Sequence, residues 1–262
     1  MRKTVLITGA SSGIGFELVK IFARKNYDLV LVARNESRLY KIKRVIEENS
    51  RNRVYVIVKD LSLEGAAKDI YEYVNKNNIK VDVLVNNAGF GDYGVFAKCD
   101  IERQSEMISV NVKALTELTY YFVKPMVARG SGKILNLGSI ASFMPGPLMS
   151  VYYATKSYVL SFTEALSEEL KGTGVSVTAL CPGPTDTGFE ENANLTTSGL
   201  FQKCKTTTAE KVAKDGYRAL MRKQTFIIPG IVNKLTALAS KFSPRFVTRK
   251  IVHEIQKIKT AE

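Results

Sequence analysis

The chain is poor in metal-binding and cross-linking side chains. It has one histidine, His253, and three cysteines with no Cys-x-x-Cys pair. That leaves no ligand set for a zinc or iron–sulfur centre, so no metal is expected. Three scattered cysteines make no disulfide scaffold, and an odd number leaves a thiol free, which points to a reducing, cytoplasmic setting. Prolines number only 7, and no Pro/Ser-rich linker, internal repeat or low-complexity segment divides the chain. No stretch reaches the roughly 18 apolar residues that suggest a membrane-spanning helix. The opening MRKTVLITGA has two cations and an apolar run, but that run meets Gly9 after five residues. It is too short for a signal peptide and reads as a strand.

What is present describes an ordinary globular protein. Of 262 residues, 45% are hydrophobic and 24% charged, which excludes disorder of the whole. The length suits one large domain or two small ones. The net charge of +13 is uneven: residues 201–262 carry 14 Lys/Arg against 4 Asp/Glu, while residues 61–200 carry 11 against 15. Such a tail could meet nucleic acid, an anionic membrane or an acidic ligand, but a solvated basic surface is the simpler expectation.

Short β-rich runs alternate with amphipathic helical stretches. The strand-like runs are Thr4–Thr8, Leu29–Ala33, Val54–Val58, Val81–Val85, Lys133–Leu137 and Ser176–Cys181. Several are nearly continuous in Val, Ile and Leu, as strands buried on both faces of a parallel sheet should be. Between them, Ile14, Leu18, Ile21 and Phe22 recur at helical spacing, as do Met107, Val110, Ala114, Leu118 and Phe122. The alternation predicts an α/β protein, a doubly wound parallel sheet of Rossmann-like form with helices on both faces. Residues 187–208 are polar and weakly periodic and predict a mobile loop or lid. Thr225–Pro229 reads as the last strand, giving a Rossmann-like domain over 1–230. Residues 231–262 read as a basic helical extension of the same domain, broken near Pro244. Its apolar stripes, Ile231, Leu235, Leu238 and Phe242, then Val247, Ile251, Ile255 and Ile258, are expected to pack on the body of the protein rather than touch a membrane.

Six segments carry chemistry. The first strand runs into Gly9, Ser11, Ser12, Gly13, Ile14 and Gly15, a Gly-x-x-x-Gly-x-Gly loop opening a helix. Glycines there let backbone approach a pyrophosphate at the positive end of the helix. At the end of the second strand, Ala33 stands where an NAD site places an acid, and Arg34 follows. A guanidinium suits a 2′-phosphate, so NADP(H) is favoured. Asp60 and Leu61 follow the third strand, where they suit an adenine. Asn87, Ala88 and Gly89 follow the fourth, where small residues let a cofactor pass. Ser139 follows the fifth, at the carboxyl edge where ligands bind. Tyr152 and Lys156, four apart, share a helix face, so the cation can lower the phenol's pKa from near 10.

With these motifs in order, the sequence resembles the short-chain dehydrogenase/reductase family over about residues 3–190. The resemblance implies a catalytic tetrad of Asn111, Ser139, Tyr152 and Lys156. It implies that Pro182, Gly183 and Thr185 lie beside the nicotinamide and that Lys156 also holds the nicotinamide ribose. Tyr152 would exchange the proton with the carbonyl oxygen, Ser139 would hydrogen-bond that oxygen, and Asn111, from a helix kink, would hold a proton-relaying water. The family commonly forms homodimers or homotetramers. The substrate segments are Phe90–Tyr93, Ala141–Pro145, Leu148–Met149 and the 187–205 loop, whose Lys203 or Lys205 could meet a charged headgroup. With Phe90, Ala141, Phe143 and Met149 as pocket residues, they are mostly apolar, and the first three hold no Arg or Lys. An uncharged carbonyl or alcohol is therefore expected, such as a steroid, a ketone or an acyl chain. The alternative is a non-catalytic NADP(H)-binding regulatory protein whose basic tail meets an anionic surface; no nucleic-acid module is recognisable.

Overall fold

The computed structural model describes residues 2–189, Ala193 and 206–257. Seven strands form one sheet: β1 (Thr4–Thr8), β2 (Asp28–Ala33), β3 (Val54–Val58), β4 (Val81–Asn86), β5 (Gly132–Leu137), β6 (Val175–Leu180) and β9 (Phe226–Ile227). Their order is β3-β2-β1-β4-β5-β6-β9, all parallel. A small separate pair joins β7 (Thr185–Asp186) to β8 (Thr207–Thr208). The expected runs all fall in strands, each within a residue or two at its ends; the last strand is shorter than Thr225–Pro229.

The near-continuous apolar runs are explained by burial on both faces. Leu6, Val30, Val32, Leu84 and Ile134 face one core, while Val5, Ile7, Leu29, Leu31, Val83 and Leu135 face the other. Side chains alternate faces along a strand, so each run must be apolar at every position. The first core is closed by α3 (Ala66–Lys76), α5 (Leu115–Ala128) and the end of α6 (Ser150–Glu169). The second is closed by α1 (Gly13–Arg24), α2 (Glu36–Asn49) and α7 (Ala209–Met221). The strand order reverses between β1 and β4, which opens a crevice at the carboxyl edge of the sheet.

The chain ends in α8 (Ile231–Phe242) and α9 (Arg245–Gln256), parted at Pro244. Here the structure corrects an expectation. Ile231, Leu235, Leu238, Phe242 and Ile251 are exposed, and the buried residues are Ala237 on α8 and Thr248, Val252 and Gln256 on α9. The body already holds α8 through small and polar groups, Asn233 against Gly183 and Ser240 bonded to the Phe143 carbonyl at 3.2 Å, so the aliphatic stripe is turned outward. Helix α9 packs through Val252 against Met149 and Tyr153, and the Gln256 amide donates to the Tyr153 hydroxyl at 2.6 Å. Ile258 lies outside the described residues, as does most of the expected loop 187–208, with Lys203 and Lys205.

Candidate active site

A cleft of about 700 Å³ runs along the carboxyl ends of the strands. It is lined by Gly9, Ser11, Ser12, Gly13, Ile14, Arg34, Asp60, Leu61, Asn87, Ala88, Gly89, Phe90, Ser139, Ala141, Met149, Tyr152, Lys156, Pro182, Gly183 and Thr185. All of these were expected from sequence. Gly15, Asn111 and Phe143 do not line it.

Gly15 acts beneath the loop. A Cβ there would lie 2.2 Å from the Gly9 carbonyl oxygen, so only glycine lets α1 meet the turn. Gly9 and Gly13 sit at φ of +63° and +52°, in the left-handed region. Asn87 holds the loop from β4: its amide donates to the carbonyls of Thr8 at 2.9 Å and Gly9 at 3.2 Å. Thr8 returns the tie, its hydroxyl accepting from the backbone N–H groups of Asn87 and Ala88, both at 3.0 Å. Ser12 caps α1 with no side-chain hydrogen bond to its first turn, and that turn holds no acid. The first N–H groups of the helix therefore face the cleft with their positive end uncompensated from the chain, which fits a pyrophosphate.

The adenosine end is more basic than expected. Arg34 lies 3.6 Å from Asp60, but Arg38 and Lys59 also line this end of the cleft. Lys59 is paired with Asp69 at 2.8 Å. Arg38 is brought in by the Asn35 cap of α2, whose side chain accepts from the Arg38 N–H at 3.0 Å. The clue in the sequence was a second arginine, Arg38, four residues after Arg34. Burial works to raise the Asp60 carboxyl, but bonds from the Ser62 N–H and hydroxyl, with Arg34 nearby, hold it below its ordinary value.

At the other end, Ser139, Tyr152 and Lys156 converge. Ser139 sits where β5 turns into a short 3-10 helix, Ile140–Phe143, and its hydroxyl accepts from the Ala141 N–H at 3.1 Å. It also hydrogen-bonds the Tyr152 side chain. Ser142 locks the arrangement, accepting from the Ser139 N–H at 3.2 Å and donating to the Lys156 carbonyl at 2.7 Å. Burial pushes the Tyr152 phenol up to about 12, with the Ser139 bond pulling the other way. Burial draws Lys156 down to about 8. The expectation that Lys156 lowers the phenol is therefore not met. Its Nζ donates to the Leu137 carbonyl at 2.8 Å and lies 5.7 Å from the Tyr152 ring centre, so burial outweighs it.

Asn111 lies within a π-helical turn, Ser109–Ala114, between α4 (Ile101–Ile108) and α5. Its amide clamps the Phe90 backbone, donating to the carbonyl at 2.9 Å and accepting from the N–H at 3.1 Å, and also donates to Thr155 at 3.1 Å. It meets Lys156 across Gly89, where a Cβ would stand 2.9 Å from Asn111 Oδ1 and 3.4 Å from Lys156 Nζ. Phe143 is drawn out of the cleft into a cluster with Leu160, Cys181, Ile228 and Ala237, because α8 covers it.

The structure adds lining residues that the sequence did not single out, Phe189 within the expected 187–205 loop among them. Phe189 stands 5.4 Å from the Tyr152 ring, and Tyr153 also lines the cleft. Arg103 reaches the rim from α4, stacked on Phe90 and bonded to the buried Asp92 at 2.9 Å. It neutralises Asp92 there, while Glu106 of the same helix adds a carboxylate to the lining. Arg103 could not be placed from sequence because α4 is brought over the cleft by the tertiary fold.

Comparison with known proteins places the chain in a family. The family model described as short chain dehydrogenase matches residues 3–198. Sulfoacetaldehyde reductase 2 of Chromohalobacter salexigens is 37% identical over 191 residues, 72% of this chain and 75% of that one. Ketoacyl reductase HetN of a Nostoc species is 30% identical over 254 residues, 94% of this chain and 87% of that one. A short-chain dehydrogenase from Sphingobium yanoikuyae, solved in complex with NADPH, superposes with a TM-score of 0.82 at 29% identity, covering 99% of this chain and 98% of that one.

Proposed function

The chain belongs to the short-chain dehydrogenase family, and from that premise we propose that it is an NADP(H)-dependent reductase of an uncharged, largely apolar carbonyl compound. The observation that carries this reading is the convergence of Ser139, Tyr152 and Lys156 in one cleft with a glycine cradle and a basic adenosine end. When bound, the nicotinamide ring supplies the hydride or accepts it. Tyr152 gives its phenolic proton to the substrate oxygen as the carbonyl becomes an alcohol, and takes it back in reverse. Ser139 hydrogen-bonds the same oxygen and steadies its developing charge. Lys156, cationic below about pH 8, offers the phenolate a countercharge as it forms. Asn111 positions the Phe90 segment and, with Lys156, borders Gly89, which supports the proton-relay role that the family implies. Met149, Phe189, Tyr153 and Ala141 give the substrate side its apolar character. A panel of ketones, steroids and acyl carbonyls, read by loss of NADPH absorbance, tests the reading; turnover confined to anionic aldehydes would overturn its substrate half.

The cofactor preference rests on Arg34 and Arg38. Replacing both with alanine should weaken NADPH binding by roughly ten- to hundredfold and leave NADH within about twofold, because charge-assisted bonds to one phosphate are lost. Equal losses for both cofactors in titration calorimetry would remove that role.

The two pKa displacements set opposite pH dependences. With its phenol pushed up to about 12, Tyr152 stays protonated at neutral pH. Reduction should therefore be level through acid and neutral pH and fall only as Lys156 loses its charge above about 8. Oxidation needs the phenolate, so it should climb as pH rises through neutrality. Initial rates in both directions across pH check this; oxidation that does not vary between acid and alkaline buffer contradicts it. A homodimer or homotetramer completes the reading, and exposed Tyr120, Val127 and Tyr158 on α5 and α6 support the assembly.

A further inference from the structure

Helix α8 is amphipathic the wrong way round for a helix that only packs on its own protein. Ile231, Val232, Leu235, Leu238 and Phe242 recur on one face, and all are exposed, Ile231 and Phe242 at 77% and 78%. Its inward side offers only Asn233, Ala237 and Ser240. Phe226 and Phe246 extend the exposed apolar area on the neighbouring segments. A contiguous outward face of large aliphatic and aromatic side chains marks a binding surface.

The charge around it identifies the occupant. From Arg222 to Lys257 the chain has eight Lys/Arg and one acid, Glu254. Glu254 is bonded to Lys257 at 2.8 Å. Lys234, Lys241, Arg245, Arg249 and Lys250 are exposed and make no ion pair among the described residues. A nucleic acid would use the cations but leave the aliphatic face wet. A second copy of this chain would cover the apolar face but set like charges together. An anionic bilayer meets both demands, its headgroups taking the cations and its acyl boundary the side chains of α8.

We propose that α8 and the basic residues around it dock this protein on the surface of an anionic lipid bilayer. Docking holds the catalytic cleft next to lipid, since Asn233 of α8 abuts Gly183 and Val252 of α9 packs with Met149 and Tyr153. The inference does not depend on which carbonyl is reduced. It also accounts for the tail's charge, which the catalytic reading leaves unused.

The test is co-sedimentation of the full chain with phosphatidylcholine vesicles, either pure or with about one-third phosphatidylglycerol. The protein should sediment with the anionic vesicles only. The double variants Lys234→Glu/Lys241→Glu and Leu235→Ser/Phe242→Ser should each lose at least about tenfold in vesicle affinity while keeping melting temperature and turnover in solution. Removing the whole tail is a poorer test, because Val252 of α9 packs behind Met149 and Tyr153, which line the cleft. No sedimentation, or equal sedimentation with neutral vesicles, overturns the proposal. So does a Leu235→Ser/Phe242→Ser variant that turns an oligomer into a monomer in light scattering, which would make the face a contact between copies. Vesicle binding unchanged in both variants would place the lipid contact elsewhere and equally overturn it.

Discussion

Tyr152→Phe should lower turnover by about a thousandfold or more while NADPH binding stays within about twofold. The substitution removes one oxygen and keeps the ring, its contact with Phe189 and its place on α6. What is lost is, among the described residues, the only phenol paired with Ser139. No neighbour among the described residues is placed to replace it. The Tyr153 hydroxyl accepts from Gln256, on the α9 side. The Lys156 ammonium is turned to the Leu137 carbonyl. Ser139→Ala should cost less, since it removes a bond to the reacting oxygen but leaves the proton donor. Single-turnover absorbance with saturating NADPH separates chemistry from binding. A Tyr152→Phe protein that retains a tenth of its activity would assign the proton to another group.

Gly15→Ala should nearly abolish cofactor binding, although Gly15 touches no part of the cleft. The new methyl would lie 2.2 Å from the Gly9 oxygen and 2.4 Å from the Asn87 amide nitrogen. Neither can step aside cheaply. The Gly9 oxygen is backbone in a turn already at positive φ, and the Asn87 amide is committed to two carbonyls. The loop must therefore shift away from the end of α1, taking its N–H groups out of register with a bound pyrophosphate. NADPH affinity should fall by roughly a hundredfold, about 2.7 kcal/mol. In thermal melts the unmodified protein should gain stability with added NADPH and the variant should gain almost none. Gly65→Ala is the control. Gly65 also has a positive φ, +75°, but no atom lies within 4 Å of a Cβ there. It should cost only the strain of that conformation, about 1–2 kcal/mol, and leave NADPH binding intact. A Gly15→Ala protein that binds NADPH normally would remove the cradle argument.

Much of this molecule was legible in the chain because its cues are local. A strand buried on both faces must be apolar at each position, so Thr4–Thr8 and Val54–Val58 declared themselves by composition. Glycine spacing reports a backbone constraint that no other residue satisfies, and a pair four apart on a helix shares a face wherever the helix sits. Those rules reached Gly9, Gly13, Ser139, Tyr152 and Lys156 without coordinates, and with them the family. Other features depend on which elements become neighbours, and no spacing rule carries that. Arg38 and Lys59 meet at the adenosine end because β2 and β3 lie side by side. Phe143 leaves the pocket because α8 folds over it. Lys156 points its ammonium at a strand carbonyl rather than at Tyr152, so burial, opposed by Ser139, has the larger hold on the phenol. The tail shows the same limit most clearly. Its apolar periodicity predicted two helices correctly, but a stripe has the same spacing whether it meets a core or a solvent-facing partner. The fold resolved that choice by holding α8 through Asn233, Ala237 and Ser240, which left its aliphatic face and its cations free to act together.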